Sequence, residues 1–212
     1  MSSVMAHIFR TQDVRVSDLN PTLERDLRRL HLTTFGALPS PMAEGLNLDE
    51  VSIVTTDGGK LAGHAYGYIV PPGDMVTYAL SDHIIPLPRD YTRADREGTL
   101  GFLDSMAIAP DYRGYGLGAK MTAKFVSAMA DNGATAILTQ AWKNPTGVPL
   151  AKILEKLNFR PLAEIDKIWE NDTPEELHCP YCGPKCRCGA VIYGLSPLAL
   201  VSSRDLIAHV AA

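Results

Sequence analysis

The sequence predicts a mixed α/β (α+β) domain, and three features carry that prediction. A turn signal, Asp57-Gly58-Gly59, separates two strand-like runs that should pair as an antiparallel hairpin. Further along, an apolar strand, an amphipathic helix and another strand follow at the spacing of a βαβ unit with a short crossover. The chain's 212 residues, 46% hydrophobic and 21% charged, supply one well-buried core. Residues 1–212 therefore read as a single domain, with a long loop at 71–98 and a Cys-rich insertion at 171–189.

Taken in order, Ile8 to Val16 reads as a first strand. Leu23, Leu27, Leu30 and Thr34 then repeat at helical spacing after the start signal Asn20-Pro21. Val51 to Thr55 and Leu61 to Val70 are the hairpin arms, with His64, Tyr66 and Tyr68 on one face of the second. Pro71 to Gly98 holds Pro71, Pro72, Gly73, Pro86 and Pro88, then a charged run with no clear period. It reads as a long excursion of the kind that often serves function. Phe102 to Ala109 is an apolar strand, Leu117, Met121, Phe125 and Met129 form a helical stripe, and Thr135 to Ala141 is the next strand. Val148 to Leu157 suits a second helix, Phe159 to Ile168 an extended segment, Ala190 to Tyr193 a short strand, and Leu198 to Val210 a terminal helix.

Composition also excludes. A formal net charge of -4 and a pI near 5.8 make a basic nucleic-acid face hard to supply. Met1 to Arg10 lacks the apolar core of a secretory signal, and no stretch approaches the ~18 apolar residues that span a bilayer, so a cytoplasmic protein is expected.

The strand Phe102 to Ala109 ends at Pro110-Asp111-Tyr112, and Arg113-Gly114-Tyr115-Gly116-Leu117-Gly118 opens the following helix. Glycines at 114, 116 and 118 let backbone approach a ligand without Cβ interference, and amides at a helix start converge on an anion with the helix dipole behind them. Such a loop suits a phosphate, with Arg113 adding a charge-assisted contact. A close-packed turn needs the same glycines, so the loop alone leaves both readings open.

The run Leu103 to Gly118 resembles the acetyl-CoA-binding motif of the GNAT N-acetyltransferase superfamily: Arg or Gln, two residues, Gly, one residue, Gly or Ala. Arg113, Gly116 and Gly118 satisfy it, and the order of elements from Ile8 to Tyr193 is similar too. A dinucleotide-binding fold would instead place its glycine loop after the first strand. The resemblance implies a mixed, mostly antiparallel central sheet flanked by helices and acetyl transfer from acetyl-CoA to a primary amine in a ternary complex. It also implies that the backbone of Met106 and Ile108 pairs with the pantetheine arm, and that Arg113, Gly114, Tyr115, Gly116, Leu117 and Gly118 hold the pyrophosphate. Asn144 resembles a family asparagine that contacts the cofactor, and equally suits a turn before Pro145.

Acyl transfer to an amine needs a base for the ammonium proton. Asp104, in an otherwise apolar strand, is the catalytic candidate, and many relatives carry an acid there. A structural carboxylate paired with an amide or arginine is the alternative. Leu154 stands where the family often has an acid tyrosine, and Asn158 where it has glycine, so the general acid is unassigned. By the same resemblance His64, Tyr66 and Tyr68 border the acceptor cleft, although ordinary strand residues look alike. His7, His31, His83 and His209 read as surface or packing residues.

Cys179-Pro180-Tyr181-Cys182-Gly183 resembles a zinc knuckle, and Cys186 and Cys188 complete a four-sulfur set for a structural Zn2+, with His178 able to replace one sulfur. Two local disulfides or a redox role remain alternatives. The expected partners are an acyl-CoA and an amine-bearing acceptor, with neither membrane nor nucleic acid, and a homodimer as candidate assembly. A CoA-binding or zinc-ribbon module without turnover is the alternative to an enzyme.

Overall fold

Seven strands form one sheet in the order β1-β2-β3-β4-β5-β7-β6 in the computed structural model, which describes residues 7–38, 49–171, 177–197 and 199. The strands are β1 (Phe9–Asp13), β2 (Glu50–Asp57), β3 (Lys60–Ile69), β4 (Leu100–Ile108), β5 (Ala136–Lys143), β6 (Arg160–Ile165) and β7 (Gly189–Leu195). Only β4 and β5 run parallel; every other neighbouring pair is antiparallel. The mixed, mostly antiparallel sheet flanked by helices is thus present. Apart from Ala199, the expected terminal helix over residues 198–210, and His209 with it, lie outside the described residues.

Local chemistry explains the elements. Gly58 and Gly59 both take positive φ, +54° and +85°, as a two-residue hairpin turn with matching twist requires. Helix α1 (Pro21–Phe35) starts because the Asn20 side-chain oxygen accepts from the amides of Thr22 and Leu23, with proline at the first turn. It ends at Gly36 in the left-handed conformation. The excursion 71–98, expected as a long loop, carries two short helices, α2 (Met75–Leu80) and α3 (Arg89–Arg96). The buried carboxylate of Asp95 on α3 accepts from the Met75 amide at 3.0 Å, which ties the two together. Helices α4 (Leu117–Asp131) and α5 (Ala151–Lys156) complete the set.

Two layers cover the sheet. On one face, Leu117, Met121, Phe125 and Met129 of α4 and Leu154 of α5 pack against Val51, Ile53, Leu103 and Ile137. On the other, α1 packs Leu27 and Leu30 on Val54, Leu61 and Ala107, while α2 and α3 bring Leu80 and Tyr91 onto Tyr66, Tyr68, Phe102 and Leu138. Burying a side chain such as Phe125 or Met121 in this way contributes roughly 1.5–3 kcal/mol each.

Candidate active site

The parallel pairing of β4 with β5 covers only Leu100–Leu103 against Ala136–Thr139. Beyond it both strands continue, β4 to Ile108 and β5 to Lys143, without pairing to each other, so the sheet opens into a wedge. At the apex β4 changes register against β3: Ser105 pairs with Tyr66 and Leu103 with Gly67, leaving Asp104 as the extra residue of a bulge. Strict alternation therefore breaks at this point. Leu103, Met106 and Ile108 all pack towards α4, so Asp104 is not assigned to their face by counting in twos.

Among the described residues, no strand pairs with the edge of β4 that faces the wedge. Ala109 donates to Ala62 of β3 at 2.9 Å, and antiparallel alternation then commits Ala107 and Ser105 to β3. The N–H and C=O groups of Met106 and Ile108 face the opening instead. The Ile108 carbonyl is met there by Arg113 Nε at 3.2 Å. Unpaired backbone at a sheet interior asks for an extended ligand.

Above the wedge, the loop between β4 and α4 is exposed at residues 113–116 and turns through Gly114 (φ +87°) and Gly116 (φ +76°). The amides of residues 114 to 119 find no acceptor among the described residues; the first bonded one is Lys120, on Gly116 O at 3.3 Å. Six consecutive donors thus stand unbonded from the loop into the first turn of a fifteen-residue helix, where the dipole favours an anion. The Leu117 side chain is anchored in the core, and Gly118 is packed so closely that a Cβ would lie 2.7 Å from Ile153 Cδ1. The exposed ring of Tyr115 leans edge-on against His7, 5.0 Å between centroids.

Asp104 is partly exposed in the wedge, and among the described residues no hydrogen bond or ion pair reaches its carboxylate. Burial pushes it up to about 7. The structural alternative, pairing with an arginine or amide, finds no support in this geometry. Beside it the buried Ser105 hydroxyl also lacks a partner. Tyr66 is raised well above the ordinary tyrosine range, first by burial and then by the Glu50 and Asp104 carboxylates.

Other sequence candidates are used differently. His64, Tyr66 and Tyr68 do share a face, but all three are buried. His64 bonds Ser52 Oγ at 3.0 Å and His31 Nε2 at 2.8 Å, and Tyr68 donates to the Tyr78 carbonyl. Burial lowers His31 to about 4, and burial followed by the His31 charge lowers His64, so both rings are neutral at pH 7. His31 Nδ1 has no partner among the described residues, which favours the tautomer that leaves a lone pair, not an N–H, orphaned there. Asn144 commits its Oδ1 to the Thr146 amide and hydroxyl at 2.8 and 2.7 Å, the turn geometry of the two readings open for it; among the described residues no hydrogen bond is made by its Nδ2. Leu154 is fully buried and offers no acid.

The four cysteines are brought together. All four Sγ atoms lie within 4.8 Å of one another, with Cys179 to Cys188 at 3.9 Å and Cys182 to Cys188 at 3.6 Å. A tetrahedron with metal–sulfur bonds of about 2.3 Å has edges of about 3.8 Å, so the set fits Zn2+, and the four cysteines are unbridged. Amides of Cys182 and Arg187 point at the Cys179 and Cys182 sulfurs, both at 3.4 Å, as thiolate ligands require. His178 is outside this group; its amide bonds the Gly36 carbonyl. Sequence reading missed Trp142, which packs against the cluster and against Phe35 and Tyr181. It also missed Gln140, which donates to the Ala79 carbonyl and docks α2 on β5.

Comparison with known proteins agrees with this geometry. The profile of the Acetyltransferase (GNAT) family matches residues 21–159. No curated protein matches the chain by sequence. Among solved structures, the chain is similar to a Bacillus subtilis acetyltransferase in complex with CoA, at TM-score 0.58 and 15% identity over 89% of this chain and 99% of that one. It is also similar to the ribosomal-protein-S18-alanine N-acetyltransferase of Escherichia coli, at 0.55 and 14% over 88% and 92%. A third is the yncA protein of Salmonella typhimurium with its cofactor acetyl-CoA, at 0.54 and 14% over 89% and 94%. At these identities the likeness is one of fold. No helix among the described residues is long and apolar enough to cross a membrane.

Proposed function

The chain belongs to the acetyltransferase (GNAT) family, and from that premise we propose that it transfers an acetyl group from acetyl-CoA to a primary amine by direct attack within a ternary complex. The observation that carries the cofactor half is the row of unbonded amides from Gly114 to Ala119 above the open edge of β4. The diphosphate of CoA is the anion those donors suit, with Arg113 adding charge, and the pantetheine arm takes the place of a strand along Met106 and Ile108. Asn144 Nδ2 is the further polar contact proposed for the arm.

Asp104 supplies the acceptor half. With its carboxyl raised to about 7, close to half of it is ionised at neutral pH, the condition in which a carboxylate both attracts an ammonium and accepts its proton. The freed amine attacks the thioester carbonyl, the new C–N bond forms, the C–S bond breaks, and the CoA sulfur leaves as a thiolate. Because Leu154 has no proton to give, that thiolate takes its proton from solvent or from the protonated nitrogen of the tetrahedral adduct, which leaves a neutral amide. The four cysteines hold a structural Zn2+, a closed site that does no chemistry, and thiolates of this kind suit a reducing cytoplasm.

The absence of a tyrosine at Leu154 favours one second reading, a CoA- and zinc-binding module without turnover. Release of CoA thiol from acetyl-CoA with a panel of primary amines decides between them: amine-dependent release supports the enzyme, and acetyl-CoA binding without any release supports the module. One zinc per chain, lost in the Cys182→Ser/Cys186→Ser double variant, tests the metal.

A further inference from the structure

The turn that carries the unbonded amides has little backbone support of its own. Among the described residues neither Gly114 nor Tyr115 makes a backbone hydrogen bond, and a turn left loose at two glycines would lose conformational entropy on gripping an anion. Side chains supply the restraint. Leu117 is anchored in the core at the helix end of the turn. Along the rest of it stands a group of four rings. His7 and Phe9, at the start of β1, stack with 5.5 Å between centroids and 14° between planes. Each meets both loop tyrosines: His7 lies edge-on at 5.0 Å from Tyr115 and 5.7 Å from Tyr112, and Phe9 lies 5.7 and 6.0 Å from the same two rings.

The two tyrosines bracket Arg113 and Gly114, so the turn is held on both sides of its first glycine. The tip of β1 is itself fixed. Asp57, at the hairpin turn, accepts from the His7 ring at 2.7 Å and from the Ile8 amide at 2.9 Å, and the bond from His7 holds its carboxyl below the usual carboxylate range. Phe9 and Tyr112 also pack on the core beneath α4, whereas Tyr115 is 52% exposed and meets only His7 and Phe9 among the rings of the described residues.

We propose that His7 and Phe9 are positioning residues for CoA: acting through Tyr112 and Tyr115, they hold residues 113–116 in the conformation that presents the row of amides to the diphosphate. A loop held ready loses less freedom when the anion arrives, and the saving appears as affinity. This role rests on the cofactor reading given above. It is confined to the phosphate end of the ligand, because the pantetheine arm meets β4 at Met106 and Ile108, away from the four rings.

Calorimetric titrations with CoA, and with pantetheine at millimolar concentration, test it on the wild type and on variants of β1. Phe9→Ala removes the contacts to both tyrosines and is expected to weaken CoA about fivefold or more while pantetheine binds as before; Phe9→Tyr, which keeps the ring, restores CoA affinity. His7→Ala, at an exposed position, is expected to weaken CoA about threefold, again without effect on pantetheine, and decides the matter alone if Phe9→Ala does not fold. A wild-type preference for CoA that survives the variants, or variants that weaken CoA and pantetheine alike, overturns the role of β1 and leaves the diphosphate reading standing. Wild-type protein that binds pantetheine as tightly as CoA removes the diphosphate reading, and the role of β1 with it.

Discussion

Asp104→Asn separates a carboxylate kept for chemistry from one kept for stability. The wild-type group rises from an ordinary 3.8 to about 7 in the folded protein through burial, so folding prefers it protonated. The sign follows by linkage: its contribution is most favourable below pH 3.8, declines as pH rises from 3.8 through about 7, and is level above. Three pH units at 1.36 kcal/mol each give an upper bound of about 4 kcal/mol, and its partial exposure reduces this to about 2–4 kcal/mol. Asparagine carries no such charge. For a domain of this size the variant's melting temperature, relative to wild type, is expected to rise by roughly 5–10 °C between pH 4 and pH 8.5. Melts followed by circular dichroism at both pH values measure it. In parallel, kcat/KM of the wild type should climb with pH through about 7, and the variant should lose 10²–10⁴-fold in rate together with that inflection. Parallel stability curves, or a variant as active as wild type, would refute the reasoning.

Gly116→Ala forces an L-residue to φ +76° where its Cβ meets nothing within 4 Å, so it should cost about 1–2 kcal/mol of stability and weaken CoA binding at least tenfold. Gly73→Ala, with φ +84° and equally open surroundings, is the control: similar loss in the melt, unchanged CoA affinity by calorimetry. At Gly36 a Cβ would sit 2.0 Å from the His178 carbonyl oxygen, so Gly36→Ala should lower the melting temperature more than Gly116→Ala and speed metal release to a chelator. The His31 ring, lowered to about 4 by burial, contributes stability present above pH 6.5 and lost as pH falls towards 4, on the order of 3 kcal/mol. His31→Gln should reduce that acid limb of the melting curve, and an unchanged limb would exclude His31 as its source.

Much of the fold was legible because its signals are local. Asn20-Pro21 caps α1, and Asp57-Gly58-Gly59 turns between β2 and β3 as the residues require. The loop at 113–118 was readable because glycine identity reports backbone geometry directly. What escaped depends on contacts distant in sequence. The bulge at Asp104 is a mismatch between two strands and leaves no mark on either alone. His31 and His64 are 33 residues apart; only the place of His31 four residues after Leu27, on the apolar side of α1, hinted at burial. The short α2 and α3 were hidden by the prolines around them, and α3 by a charged run that buries only Tyr91, Ala94 and Asp95. The sulfur spacing was predictable in kind, but its seat beside Trp142 and Gly36 arises from β7 inserting between β5 and β6, an order that no run of residues announces.

The proposed grip of the loop amides on the diphosphate of CoA is read residue by residue in an amide-resolved NMR titration with CoA. The signals of Gly114, Gly116 and Gly118 are expected to move most, downfield and saturably, and pantetheine, which lacks the diphosphate, to leave them in place. Loop signals that stay still while CoA binds elsewhere, or that respond equally to pantetheine, would contradict it.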